Sequence, residues 1–152
     1  MARPFEPEHL LQKPLMAILA TRCPHGPRTA PVWFLWQDGA LWMLGDVGGS
    51  SVQRIEDDPS VSVEITEFDP ARGILLHLGL RGTAEVQLMQ PNLFRQLLTK
   101  YLGPAEDRWN PWFIAQIARI DDPDGRLIRL RPDSVFTNNG SFFLTGPELA
   151  WP

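Results

Sequence analysis

Apolar and polar positions along this chain fall in short blocks with two distinct periods. Val61, Val63 and Ile65 stand between Ser60, Ser62, Glu64 and Thr66, the two-residue alternation that buries one face of a strand and leaves the other in water. Leu93, Phe94, Leu97, Leu98 and Tyr101 recur instead at helical spacing, after Pro91 and before Gly103-Pro104. Proline in a first turn and glycine just past the last predict a helix over residues 91–102. Residues 15–21 form a nearly unbroken apolar run, followed by the turn-rich stretch Cys23-Pro-His-Gly-Pro-Arg28. This predicts a buried strand and a turn. Residues 29–36 predict a second strand, Gln37-Asp38-Gly39 a hairpin turn, and residues 40–44 a third strand.

The same signals continue along the chain. Serine at a capping position, then Val52 and Ile55 before Pro59, predict a short helix. Residues 74–87 predict a long strand, with Gly79 and Gly82 marking a bulge or a close backbone approach. A short helix is expected within residues 6–13. Residues 126–130 and 134–137 read as two strands, Asn138-Asn139-Gly140 as a turn, and residues 141–144 as the return of a terminal hairpin. The stretch 113–120 follows Arg108-Trp-Asn-Pro-Trp112 and reads as a helix end or an irregular cover. With 15 prolines and 12 glycines among 152 residues, short punctuated elements are favoured over long helices. A single, mainly β domain over 1–152 is expected.

Composition narrows the function. The net charge of −4 supplies none of the basic field that drives nonspecific nucleic-acid binding. No apolar stretch approaches the roughly 20 residues of a spanning helix, and the acidic, proline-bearing start is unlike a secretory signal. A cytoplasmic protein acting on neither nucleic acid nor membrane is expected. Cys23 is the one cysteine, which excludes an intrachain disulfide and leaves a cysteine-based zinc site to draw almost all its ligands from three scattered histidines.

The order of these elements resembles the flavin-binding split-barrel family typified by pyridoxamine 5′-phosphate oxidase. So do the stretches Leu15-Met-Ala-Ile-Leu-Ala-Thr, Arg28-Thr-Ala-Pro-Val, Gly39-Ala-Leu-Trp-Met-Leu and Leu80-Arg-Gly-Thr-Ala-Glu-Val. The most specific match is Ser51-Val-Gln-Arg-Ile-Glu-Asp-Asp-Pro-Ser-Val-Ser-Val, a helix end leading into an alternating strand. The resemblance implies a six-stranded antiparallel split β-barrel with peripheral helices. It also implies a homodimer with FMN at the subunit interface, and a flavin-dependent oxidoreductase acting on a small-molecule substrate.

Carried onto this chain, the cofactor contacts implied are Arg28, Thr29, Ala30 and Pro31 from the second strand, then Leu44, Gly45, Gly49, Ser50 and Ser51 from the third strand and the helix start after it. His77 would lie near the ring, and Trp109 would approach the flavin of a partner subunit. A glycine-rich turn entering a helix offers free amides to a phosphate, and Arg28 adds a forked charged contact. On the residues alone, 48–51 also read as a plain helix cap, His77 as a barrel histidine satisfied by backbone, and the Trp109 loop as a hydrophobic plug. The chain departs from the family where Ser50-Ser51 replaces an arginine-lysine pair, and where Trp33 replaces the lysine of the pyridoxamine oxidases themselves. Oxidation of vitamin B6 is therefore not the expected reaction. The alternative to an enzyme is a noncatalytic binding or sensor protein for a planar ligand, whether flavin, heme or deazaflavin.

Overall fold

The computed structural model describes residues 4–141. Its elements are α1 (Glu8–Leu11), β1 (Ala17–Cys23), β2 (Gly26–Val32), β3 (Phe34–Gln37), β4 (Ala40–Asp46), α2 (Ser50–Asp57), β5 (Ser60–Asp69), β6 (Ile74–Leu88), α3 (Pro91–Leu102), α4 (Pro111–Ala118) and β7 (Gly125–Asn139), with one 3₁₀ turn at Glu106–Arg108. The strands form one antiparallel sheet in the order β2-β1-β5-β6-β7-β4-β3. No helix among the described residues is long and apolar enough to cross a membrane.

The two edge strands, β2 and β3, are separated in the chain by Trp33 alone. Consecutive Cα atoms are about 3.8 Å apart, so Val32 and Phe34 stand at most about 7.6 Å from each other. Laid flat, seven strands at a spacing of about 4.8 Å would hold the edges some 29 Å apart. The sheet therefore curls until its edges approach at the Trp33 corner. Its concave side holds the main core, including Leu19, Phe34, Met43, Val63, Leu78 and Leu130. Val52 and Ile55 of α2 join the same cluster.

Local sequence explains which strands alternate. In β5 only Val61, Val63 and Ile65 face the core, and the residues between them are wet or half-covered. In β4, Ala40, Leu41, Trp42 and Met43 are all buried. Leu41 and Met43 enter the main core, while Ala40 and Trp42 pack outward with Leu127 and with Leu93 of α3. The continuous apolar run of β4 is the signature of a strand covered on both faces.

Three expectations are corrected. Among the described residues the sheet has seven strands where six were expected, and the single strand expected over 29–36 bends at Trp33 and serves both edges. Residues 126–130 and 134–137 are one strand, β7, which passes Pro132 at an irregularity opposite Arg81/Gly82. Proline lacks a ladder donor, and such a site is where a strand can accommodate one. Asn138 and Asn139 are strand residues paired with His77 and Leu76, and make no hairpin turn. The return strand expected at 141–144 lies, beyond Ser141, outside the described residues.

The end of α3 fastens the corner. The Tyr101 hydroxyl donates to the Leu15 carbonyl at 2.7 Å and accepts from the Phe34 amide at 3.0 Å. Lys100 Nζ donates to the carbonyls of Leu11 and Phe34, both at 3.0 Å, and sits 3.5 Å from the centroid of the Phe34 ring.

Candidate functional site: an aromatic cleft beside the start of α2

Where β4 runs out, its outer face opens into a cleft of about 590 Å³ bounded by α3, α4 and the approach to β7. Leu44 and Gly45 form its floor at the strand end, Phe94 and Leu98 its α3 wall, and Trp112 and Phe113 its α4 wall. Trp33 enters from the corner as the middle of an aromatic stack, 4.4 Å from Tyr101 and 5.3 Å from Phe113 between centroids. Trp112 stands perpendicular to Phe113 and remains 62% exposed, which leaves an indole surface open to a ligand. The local sequence builds this wall directly. The Asn110 side chain accepts the Trp112 amide at 2.9 Å, and Pro111 takes the first helical position. Within the stretch 113–120, residues 113–118 are thus helical, as part of α4, whose start signal is Asn110-Pro111.

Charge in the cleft is sparse and mostly negative. Arg119 pairs with Asp122 at 3.0 Å. The Asp124 amide and, after it, the Arg119 guanidinium hold the Asp122 carboxyl below the usual carboxylate range. Asp46 adds a second carboxylate at the rim.

The turn after β4 leads from the cleft into α2. Gly48 has φ +76°, the left-handed conformation that favours glycine. Gly49 is the N-cap, and no side chain caps the helix, so the first-turn amides have no partner of that kind. Gly45 lets the helix sit close, because a Cβ there would stand 2.7 Å from Val52 Cγ2. One turn further on, Arg54 is half-buried: its Nε donates to Thr21 Oγ1 at 2.7 Å and its Nη2 to Ser51 Oγ at 3.3 Å. Thr21 is the cross-strand partner of Arg28.

The structure therefore brings much of the expected set around one corner. Leu44 and Gly45 line the cleft. Gly49, Ser50 and Ser51 start the adjoining helix, and Arg28 heads the edge strand, with Thr29, Ala30 and Pro31 leading on toward Trp33. Arg28 itself is exposed, with Nη1 donating to the Pro27 carbonyl at 2.9 Å. Two expected residues do not line the cleft. His77 is on β6 between Thr66 and Asn138, with Nε2 3.6 Å from the Glu64 carboxylate and its ring edge-on to Phe136. Trp109 is 4% exposed, packed with Phe94 and Leu98, and its indole N–H donates to the Gly103 carbonyl at 2.9 Å. It backs the cleft wall, and Trp112 presents the open ring instead. Sequence reasoning missed Arg54. The available signal was its position one helical turn after Ser51, which places both on one face.

A curled antiparallel sheet with an aromatic cleft at one strand end and a glycine turn entering a helix defines the class: the chain has the pyridoxamine 5′-phosphate oxidase-like fold. No protein-family model matches the chain, and no curated protein matches it. Among solved structures it is similar to an F420 reductase, with TM-score 0.67 and 25% identity over 88% of this chain and 98% of that one. An FAD-binding protein from Mesorhizobium loti gives TM-score 0.64 and 18% identity over 92% and 99% of the two chains. A pyridoxamine 5′-phosphate oxidase-like protein from Listeria innocua gives 0.62 and 15% over 86% and 93%.

Proposed function

We propose that the protein is a split-barrel, FMN-binding oxidoreductase that works as a homodimer on a small-molecule substrate. The observation that carries this reading is the meeting of two features at Leu44-Gly45. An apolar, ring-lined cleft opens on one side, and an uncapped helix start flanked by arginine lies on the other. A planar ring system belongs in the first and a ribityl phosphate at the second. The cleft volume lies within the roughly 300–1,000 Å³ of small-molecule sites. Its carboxylates, Asp46 and Asp122, disfavour an anion in the cleft itself and direct the phosphate toward Arg28, Ser50 and Ser51.

The flavin, when bound, supplies the hydride or electron transfer. The chain's own residues bind and orient it: the cleft walls exclude water from the ring, and the turn amides and Arg28 hold the tail. Exposed apolar residues support the dimer. Ile18 and Phe136, both exposed, share one row across the outer sheet face through Glu64 and Gly79. The flavin class is supported by the FAD-binding protein and the F420 reductase among the structural neighbours. The second of these, at 25% identity and nearly full coverage, favours a deazaflavin as the second reading.

The absorption spectrum of freshly purified protein tests both readings, because FMN, deazaflavin and heme have different bands. An FMN spectrum, or saturable quenching of added FMN fluorescence, is expected. A colourless protein that leaves FMN fluorescence unchanged overturns the cofactor assignment.

A further inference from the structure

Arg54 and Arg28 both neighbour Thr21. Arg54 donates to its hydroxyl at 2.7 Å. Arg28 stands directly across the β1–β2 ladder from it, which puts the two side chains on one face with Cβ atoms about 4.5–5.5 Å apart. Thr21 itself is buried. Among the described residues, neither guanidinium forms an ion pair: the contacts of Arg54 are the hydroxyls of Thr21 and Ser51, and that of Arg28 is the carbonyl of Pro27. The neighbouring Arg22 is already satisfied by Asp58 at 3.0 Å. Two arginines beside one buried threonine, one of them half-buried and neither in an ion pair among the described residues, favour an anion placed beside them.

We propose that Arg54, aimed by Thr21 and Ser51, is the principal charged contact for a phosphate monoester, with Arg28 as the second arm of the clamp. This relocates the cation from the first turn of α2, where Ser50 and Ser51 are neutral, to its second turn. The serine at 51 then orients the guanidinium and leaves the charge to Arg54. Among the described residues Nε and Nη2 make the hydrogen bonds of Arg54, and Nη1 is the arm offered to the ligand. The proposal rests on the flavin reading only in naming FMN as the bearer of the phosphate.

The test compares FMN, riboflavin and inorganic phosphate on the wild type, Arg54→Gln, Arg54→Lys and Ser51→Ala. Flavin binding is followed by fluorescence. Phosphate binding is followed by the rise in Tm over chloride at equal ionic strength. We expect FMN to bind the wild type more tightly than riboflavin. Arg54→Gln should lower FMN affinity about 10- to 100-fold, the loss of one charge-assisted contact, with riboflavin affinity unchanged. Arg54→Lys should recover part of the loss, and Ser51→Ala, which keeps the charge, should lose less than Arg54→Gln. If Arg54→Gln fails to fold, Arg54→Lys and Ser51→Ala carry the comparison. An unchanged FMN-to-riboflavin ratio in the Arg54 variants overturns the proposal and leaves the flavin reading intact. If no flavin binds while phosphate raises Tm in the wild type and not in the Arg54 variants, the anion clamp stands and the flavin reading falls. Absence of both effects overturns both.

Discussion

The indole of Trp33 lies flat on the ring of Tyr101, with centroids 4.4 Å apart and planes 4° from parallel. Trp33 is the single residue between the two edge strands, so this stack joins the corner where the sheet curls back on itself to the helix that covers it. The Tyr101 hydroxyl makes the same connection through polar atoms, by its bonds to Leu15 and Phe34. Tyr101→Phe keeps the stack and removes both bonds. A loss of about 1–3 kcal/mol, the cost of leaving partly buried groups unmade, is expected in urea unfolding, with the near-ultraviolet circular dichroism of Trp33 retained. An unchanged midpoint would show that the hydroxyl does not fasten the corner.

Beside Tyr101, burial pushes the Lys100 ammonium down to about 7, while the Leu11 and Phe34 carbonyls and the Phe34 ring still offer it contacts. The unfolded chain keeps the ordinary value of 10.5. Between these two values the unfolded state binds more protons than the folded state, so Lys100 makes stability rise as pH climbs from about 7 toward 10.5. Below about 7 its contribution is flat. Comparing denaturant midpoints of the wild type and Lys100→Met across this range isolates the effect. The variant should show a smaller rise, and equal slopes would mean that Lys100 stays charged in the fold.

Gly45→Ala should act through α2. The new Cβ would lie 2.7 Å from Val52 Cγ2 and 3.4 Å from Ile128 Cδ1, an overpacking that typically costs about 1–3 kcal/mol. Because Gly45 also floors the cleft, flavin affinity should fall with stability. Val52→Ala removes the methyl that clashes, so the double variant should be more stable than the sum of the two single losses. Strict additivity in thermal or urea melts would count against a direct Gly45–Val52 clash.

These elements differ in how far sequence alone specifies them. The alternation of β5 and the helical spacing of α3 are local patterns, and both elements formed where those patterns lie. Gly79 and Gly82 signalled a bulge, and the register shifts between Arg81 and Gly82. The break at Trp33 had no local signal, because residues 29–36 read as one strand and the bend follows from its two halves pairing at opposite edges of one curled sheet. The two strands read at 126–130 and 134–137 flank Pro132, which the continuous strand accommodates opposite Gly82, where any Cβ would stand 2.9 Å from the Arg131 carbonyl oxygen. At the site, Leu44 and Gly45 were legible through resemblance. Arg54 was hidden because its relevance depends on Thr21, a residue 33 positions away.

The two tryptophans of the α4 approach give the sharpest division between packing and binding. Trp109 is buried against Phe94 and Leu98 and spends its N–H on Gly103, whereas Trp112 is 62% exposed at the cleft mouth. Trp109→Ala should therefore cost about 3–5 kcal/mol, as large-to-small core changes of aromatic residues do. Trp112→Ala should leave stability within about 0.5 kcal/mol while weakening a stacked planar ligand by about 0.5–1.5 kcal/mol. Urea unfolding and flavin titration of the two variants read these effects separately. Should Trp112→Ala bind flavin like the wild type while a folded Trp109→Ala loses it, the open ring at the cleft is not the ligand's partner, and the contact expected from Trp109 in the sequence regains its place.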